Sequence, residues 1–237
     1  MKSVFIRVIV FLVLIPFIGC KKSRENSKNT LTNFENSIHY AKGLEIYKQQ
    51  GFSIVKITNP WPEAQKSFTY ILQEKNGIIP DSLKQFPTIS IPIQSIVVTS
   101  TTHIPALELL GVEKTLVGFP DTDYISSVKT RKLIDAGKVR EVGANESLNT
   151  EVLMDLKPDV IIGFGLNNSN PTLDNLQKSG LKVILNGDWT EQSPLGKAEW
   201  IKFFGALYSL DSKANAVFSE IEKEYNSTLA LAKKTTK

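Results

Sequence analysis

The run Val160-Ile161-Ile162 constrains this chain more than any other stretch. Three consecutive β-branched residues suit a strand buried on both faces, and such strands belong to parallel sheets covered by helices. A short amphipathic segment precedes the run. Val152, Leu153 and Leu156 share one helical face, Pro158 stops the helix, and Asp159 opens the strand. Gly163-Phe164-Gly165 ends it. Open α/β sheets bind ligands beyond the carboxyl ends of their strands, which makes Gly163 to Gly165 a candidate site. The same pattern also fits an ordinary helix-strand unit with no ligand role.

The first residues have a different purpose. Lys2 and Arg7 form a basic start, and Val8 to Ile18 is apolar but too short to span a bilayer. Gly19 then precedes Cys20, the only cysteine in the chain. Residues 1–19 therefore read as a signal peptide and Cys20 as a lipidation site, as in bacterial lipoproteins. The mature chain then has neither a disulfide nor a cysteine metal site. Residues 20–36 are polar and read as a flexible, lipid-anchored linker. Without Lys2 and Arg7 the 28 basic residues become 26 against 24 acidic ones, a net charge of +2. That balance excludes an electrostatic nucleic-acid footprint. The folded part begins near Ser37 and holds about 200 residues, enough for one well-cored domain or one and a half.

Tyr40–Gln50, Ser53–Thr58 and Ser67–Gln73 have strand character and are joined by short turns, which suggests an antiparallel meander. Asn59-Pro60-Trp61-Pro62 is a turn signal, and Trp61 suits packing against it in preference to a hinge or a ligand contact. From Ser95 the order changes to repeating strand, loop and helix, the signature of a parallel sheet with covering helices. Ser95–Val98 is a strand, followed by Thr99-Ser100-Thr101-Thr102-His103 and a helix that Gly111 ends. Thr101 and Thr102 suit either N-capping or ligand contact, and His103 either a ligand contact or a plain surface position. Thr115–Gly118 is the next strand, with Asp121–Tyr124 as its loop and Ser126 capping a helix to about Ala136. Asn170–Ser179 is a helix, Lys182–Leu185 a strand and Asn186–Thr190 its loop. Pro194 opens a helical tail. In it Trp200, Ile201, Phe204 and Leu207, then Ala214, Val217, Phe218, Ile221 and Tyr225, recur at core spacing.

No catalytic motif accompanies this framework. The two histidines, His39 and His103, lie far apart in the chain. There is no Gly-x-Ser-x-Gly elbow, no Walker loop and no His-Glu-x-x-His. Gly163-Phe164-Gly165 lacks the third glycine of a dinucleotide fingerprint, because position 168 is Asn. The chain does not read as an enzyme.

An ordered set of motifs does carry a resemblance. It comprises Thr115-Leu-Val-Gly118, Asp123-Tyr124, Asn149-Thr-Glu151, Leu156-Lys-Pro-Asp-Val-Ile-Ile162, and Leu173 to Gly180 before Lys182-Val183. The set resembles the N-terminal lobe of the iron-siderophore and vitamin B12 substrate-binding proteins that serve ABC importers. Ser193 to Phe203 resembles the version found in lipoproteins of Bacteroidetes-type bacteria.

The resemblance implies an α/β fold, the N-terminal lobe of a two-lobe binding protein. In it a mostly parallel sheet covered by helices follows a small antiparallel meander. Residues 37–193 would form that lobe and residues 194–232 the long interlobe helix, broken near Leu210, with the second lobe missing. Thr101, Thr102, His103, Tyr124, Phe164, Gly165 and Trp189 would face the ligand cleft, and Glu151 would dock on the permease. The ligand would be a ferric siderophore or a cobalamin-like corrinoid that brings its own metal, so no cofactor and no protein metal ligand is required. Partners would be the permease, the ATPase and, through Cys20, the membrane, with no nucleic acid. The protein would be exported to the periplasmic side. Two alternatives remain: an α/β hydrolase-like surface enzyme using His103 with Ser100 or Thr102, and a single-lobe scaffold or adhesion protein.

Overall fold

The computed structural model describes residues 35–167 and 170–235. The signal peptide read at 1–19, the lipidation site Cys20 and the linker up to residue 34 lie outside the described residues. Asn36 already belongs to the fold, since it bridges Tyr47 and its side chain accepts from the N–H groups of Ile38 and Ile46.

Four strands come first: β1 (Leu44–Gln49), β2 (Phe52–Ile57), β3 (Phe68–Glu74) and β4 (Thr88–Ile91). They form a sheet in the order β1-β2-β3-β4. The first three pair antiparallel as the meander requires, and β4 adds on parallel to β3.

The second sheet is built from β5 (Ile96–Val98), β6 (Leu116–Phe119), β7 (Arg140–Glu141), β10 (Val160–Gly163) and β11 (Val183–Leu185). Its order is β11-β10-β5-β6-β7, with every pair parallel. The remaining strands, β8 (Gly143–Ala144) and β9 (Ser147–Leu148), make a separate two-residue hairpin. The intervening helices are α1 (Ile104–Leu110), α2 (Val128–Asp135), α3 (Thr150–Leu156) and α4 (Pro171–Lys178). After β11 come α5 (Pro194–Glu199), α6 (Ile201–Leu207) and α7 (Asp211–Thr235).

The parallel sheet is buried on both faces, and alternation along its strands sorts side chains between two cores. Ile96, Val98, Val160, Ile162 and Ile184 enter the core with α1, α6 and the first half of α7. Val97, Ile161, Val183 and Leu185 enter the core with Leu153 of α3 and Leu173 and Leu176 of α4. Each such buried aliphatic side chain contributes about 1.5–3 kcal/mol. The first core also takes Leu44, Ile46, Val55, Ile57 and Leu72 from the meander, so the two sheets share it. Tyr70 spans their junction, its hydroxyl accepting the Leu185 N–H at 3.2 Å. Burial raises its pKa to about 12.

Helix starts follow the expected chemistry. Asn149 caps α3 by accepting from Val152 N, and Asn170 caps α4 by accepting from Leu173 N. Two expected caps fall one position off. Ser100, rather than Thr101 or Thr102, caps the single turn before α1, and Ser127 rather than Ser126 caps α2. In both cases the residue whose backbone is extended holds the cap.

The expected long interlobe helix over 194–232 is divided. The chain bends at Trp200 and breaks again between Tyr208 and Leu210, where Ser209 takes a left-handed conformation (φ 55°). Gly205 makes the second break possible, because a Cβ there would lie 2.5 Å from the Ala214 Cβ. Only α7 is long. It is buried at Ala214 and Phe218, and exposed on nearly every side from Ser219 onward, apart from the half-buried Ile221 and Glu222.

Candidate functional site at the carboxyl edge of the parallel sheet

Each strand of the parallel sheet delivers a short polar loop to its carboxyl edge. Beyond β5, Thr99 N donates to Ile162 O at 3.0 Å, which keeps this loop beside the end of β10. Ser100 Oγ lies 2.8 Å from Thr102 Oγ1 and accepts from Thr102 N, so the turn 101–103 is self-bonded. Beyond β6, Asp121 sits at φ 49° and starts a turn that leaves Tyr124 at 75% exposure. Glu141 at the end of β7 holds this turn. Its carboxylate accepts from Asp121 N at 2.7 Å, Thr122 N at 2.8 Å and Thr122 Oγ1 at 2.8 Å. Burial pushes the Glu141 pKa up, but the bonds from Thr122, Asp121 and Gly143 outweigh it and leave the group below the ordinary carboxylate value.

Three of the expected ligand residues meet here. Thr101, Tyr124 and Phe164 line one depression of about 310 Å³, together with Phe119, Pro120 and Asn145. A second depression of about 210 Å³ adjoins it, sharing Thr99, Asn145 and Phe164 and extending to Glu146, Asn170 and Thr172. Asn145 and Glu146 were missed in the sequence. They form the turn of the β8–β9 hairpin, and the signal was present as a polar pair between two short runs, Gly143-Ala144 and Ser147-Leu148.

Thr102 and Trp189 lie elsewhere. They line an apolar groove of about 370 Å³ between α1, the turn 188–190 and the α5–α6–α7 tail, with Leu109, Ile201 and Phe204 among its walls. The two expected contacts thus share a surface with each other, but not with Tyr124.

Two residues leave the set of exposed candidates. His103 has no solvent exposure, and its ring packs 5.5 Å from that of Phe204. The single turn begun at Thr101 swings the third residue inward, so His103 joins the core between α1 and α6 rather than the cleft. Neither ring nitrogen has a hydrogen-bond partner among the described residues, and Asn186 Nδ2 is in the same position. Burial lowers the His103 pKa, against opposing influences from the Asp188 carboxylate and the Asn186 amide. Gly165 is also buried. A Cβ there would stand 2.7 Å from Trp61 Cε3, so this position serves the packing of Trp61, which the sequence had placed as a packing residue.

Glu151 lies exposed in the first turn of α3 and lines neither depression. Among the described residues no group of three or more His, Cys, Asp or Glu side chains could hold a metal ion. No helix of the described residues is long and apolar enough to cross a membrane.

Known proteins are similar to this chain in sequence and in fold. Two uncharacterized lipoproteins of Methanocaldococcus jannaschii are similar to it. One is 23% identical, over 93% of this chain and 60% of the relative; the other is 25% identical, over 94% and 61%. The chain therefore spans about three fifths of the length of these relatives. The crystal structure of a periplasmic binding protein from Veillonella parvula superposes with a TM-score of 0.52 at 15% identity. It covers 79% of this chain and 55% of that one, and shows the shared fold. The family model described as periplasmic binding protein matches residues 96–236, from the first strand of the parallel sheet to the end of α7. That match covers more than half of the sequence, and the chain belongs to the periplasmic binding protein family.

Proposed function

We propose that this chain supplies the N-terminal lobe of a lipid-anchored substrate-binding component of an ABC importer. The ligand is a metal chelate, either a ferric siderophore or a cobalamin-like corrinoid. The observation that carries the reading is the depression where Thr101, Tyr124 and Phe164 meet at the carboxyl ends of β5, β6 and β10. Loops beyond strand carboxyl ends are where open α/β sheets hold ligands. An exposed tyrosine and a half-buried phenylalanine suit the flat or partly apolar face of a chelate, and the hydroxyls around them fix its orientation.

On this reading the metal arrives inside its chelator, and the lobe needs no metal ligand of its own. Glu151 faces the permease, the ATPase drives release, and Cys20 tethers the protein on the periplasmic side of a membrane. Residues beyond the depression, Thr102 and Trp189, contact the ligand only if it extends over the turn 101–103 into the apolar groove. The hydrolase-like alternative loses its chemistry, because a fully buried His103 cannot act as a base on Ser100 or Thr102 at the surface.

Titration of the protein with cyanocobalamin and with ferric siderophores tests the reading. Saturable binding that Tyr124→Ala weakens supports it, and a folded protein that binds none of them counts against it. Glu151→Arg should leave binding intact while reducing uptake in cells. Unchanged uptake would remove the docking role.

A further inference from the structure

The charges around the proposed site say which chelates it accepts. This inference rests on the reading of the carboxyl edge as the ligand site. Among the described residues that line the two adjoining depressions, Glu146 is the one with a charged side chain. It is exposed and forms no ion pair with another described residue. The polar remainder is neutral, consisting of amides such as Asn145 and Asn170 and hydroxyls such as Thr101 and Tyr124.

The rim carries more negative charge. Asp121 starts the turn that presents Tyr124, and Asp123 lies within it. Arg131 of α2 is the cation bound to that turn, and it is already engaged. Its Nη1 donates to Thr122 O at 2.7 Å, and its guanidinium lies 3.9 Å from Asp123 and 3.7 Å from Asp135.

The opposite edge of the same sheet has the opposite sign. Lys114, Lys138, Lys157 and Lys182 each stand within three residues before a parallel strand, β6, β7, β10 and β11 respectively, and all four are exposed. They outnumber the two acids in the same positions, Glu113, which pairs with Lys129, and Asp159, which accepts from Gln94 N and Ser95 N. The lobe is therefore electrically polarised along its strands, negative where the ligand sits and positive at the far edge. A field of that sign draws in cations, tolerates neutral ligands and repels anions, both during approach and in the bound state.

We infer that the lobe takes a chelate with no net negative charge, and that Glu146 is a specificity-determining residue of the site. Amide-lined walls suit hydroxamate oxygens or the amide-rimmed face of a corrinoid. They offer nothing to neutralise a tris-catecholate complex.

The test is calorimetric titration of the full chain with three probes: ferrioxamine B, a cationic trihydroxamate; cyanocobalamin, which is neutral; and ferric enterobactin, a trianionic tris-catecholate. At least one of the first two should bind about tenfold or more tighter than the third, a gap of about 1.4 kcal/mol. Glu146→Lys should shift the ratio by about tenfold toward the trianion, and added salt should shrink the shift. The substitution spares the fold because, among the described residues, it is the Glu146 carbonyl that is used, accepting from Thr172 Oγ1 at 3.0 Å. Circular dichroism of the variant checks that point. A trianion that binds as tightly as the other probes, with a ratio indifferent to Glu146→Lys, overturns the inference. Binding of none of the three by a folded protein overturns the reading of the site itself, and the charge preference with it.

Discussion

The Glu199 carboxylate accepts the main-chain N–H of Tyr40 at 2.6 Å, although 159 residues separate the two in sequence. The same carboxylate also accepts from His39 N and Ala41 N, and from Lys202 Nζ at 2.7 Å. Eight residues earlier, just before α5, Glu191 accepts from Lys42 N and Gly43 N and from the Trp200 indole N–H. Five consecutive main-chain donors at the entry to the meander are thus held by two carboxylates from the α5 region. Tyr40 donates its hydroxyl to Glu222, and its ring packs at a tilt against Phe218 of α7.

Glu199→Gln should therefore destabilise the protein strongly. Glu199 has no solvent exposure, and the variant leaves Lys202 without its buried partner and turns an amide donor toward backbone donors. Breaking one partner of a buried pair costs about 3–5 kcal/mol. Urea denaturation should show that loss. A change under 1 kcal/mol would mean the latch is not structural. Limited proteolysis should also cut the variant faster before Leu44.

Two acid transitions should be separable. The His103 pKa is depressed by burial below the ordinary 6.5, so the unfolded chain binds a proton in a range where the folded chain does not. Its contribution is complete above about pH 6.5 and is lost as pH falls below that value, at up to about 1.4 kcal/mol per pH unit. Glu199 is also depressed. Burial raises its pKa, but the bonds from Lys202, Ala41, His39 and Tyr40 outweigh that. Its contribution is present above the ordinary 4.5 and is lost only as pH falls further, through its folded value. Denaturation of His103→Leu between pH 7 and pH 5 should show a flatter pH dependence than the parent. An unchanged slope there would assign the loss to other groups.

Gly165→Ala should strain the contact with Trp61. The added methyl group would meet the indole at 2.7 Å, and overpacking of that kind costs about 1–3 kcal/mol. Trp61→Leu in the same chain should recover part of the loss, because the two substitutions share one space and should not add. Additive losses measured by thermal denaturation would show that the glycine is required for its backbone alone.

Tyr124→Ala tests the site without testing the fold. At 75% exposure the side chain supports little packing, so stability should change by less than about 0.5 kcal/mol. Ligand affinity should fall. Trp189→Ala, in the neighbouring groove, should affect affinity less. A larger effect from Trp189 would move the centre of binding into the groove.

Much of this was legible in the sequence because it is local. The β-branched run at Val160–Ile162, Pro158 before it, the caps Asn149 and Asn170, and the glycine stops at Gly111 and Gly137 each specify conformation within a few residues. Strand periodicity likewise separates the two faces of the parallel sheet. Those features fix the element order, and the element order places Thr101, Tyr124 and Phe164 at one edge.

Tertiary structure decided what depends on where a side chain turns after the strand has ended. His103 and Thr101 are two residues apart, yet one enters the core and the other reaches the depression, because a single tight turn rotates between them. Gly165 reads as a loop glycine until Trp61, about a hundred residues earlier, is packed on it. Nothing local in the sequence marks Glu191 or Glu199, and only the arrival of residues 39–43 makes them the counterpart of five main-chain donors. Periodicity encodes which face of an element is buried. Long-range approach, set by the shared core of the two sheets, determines what each buried polar group meets.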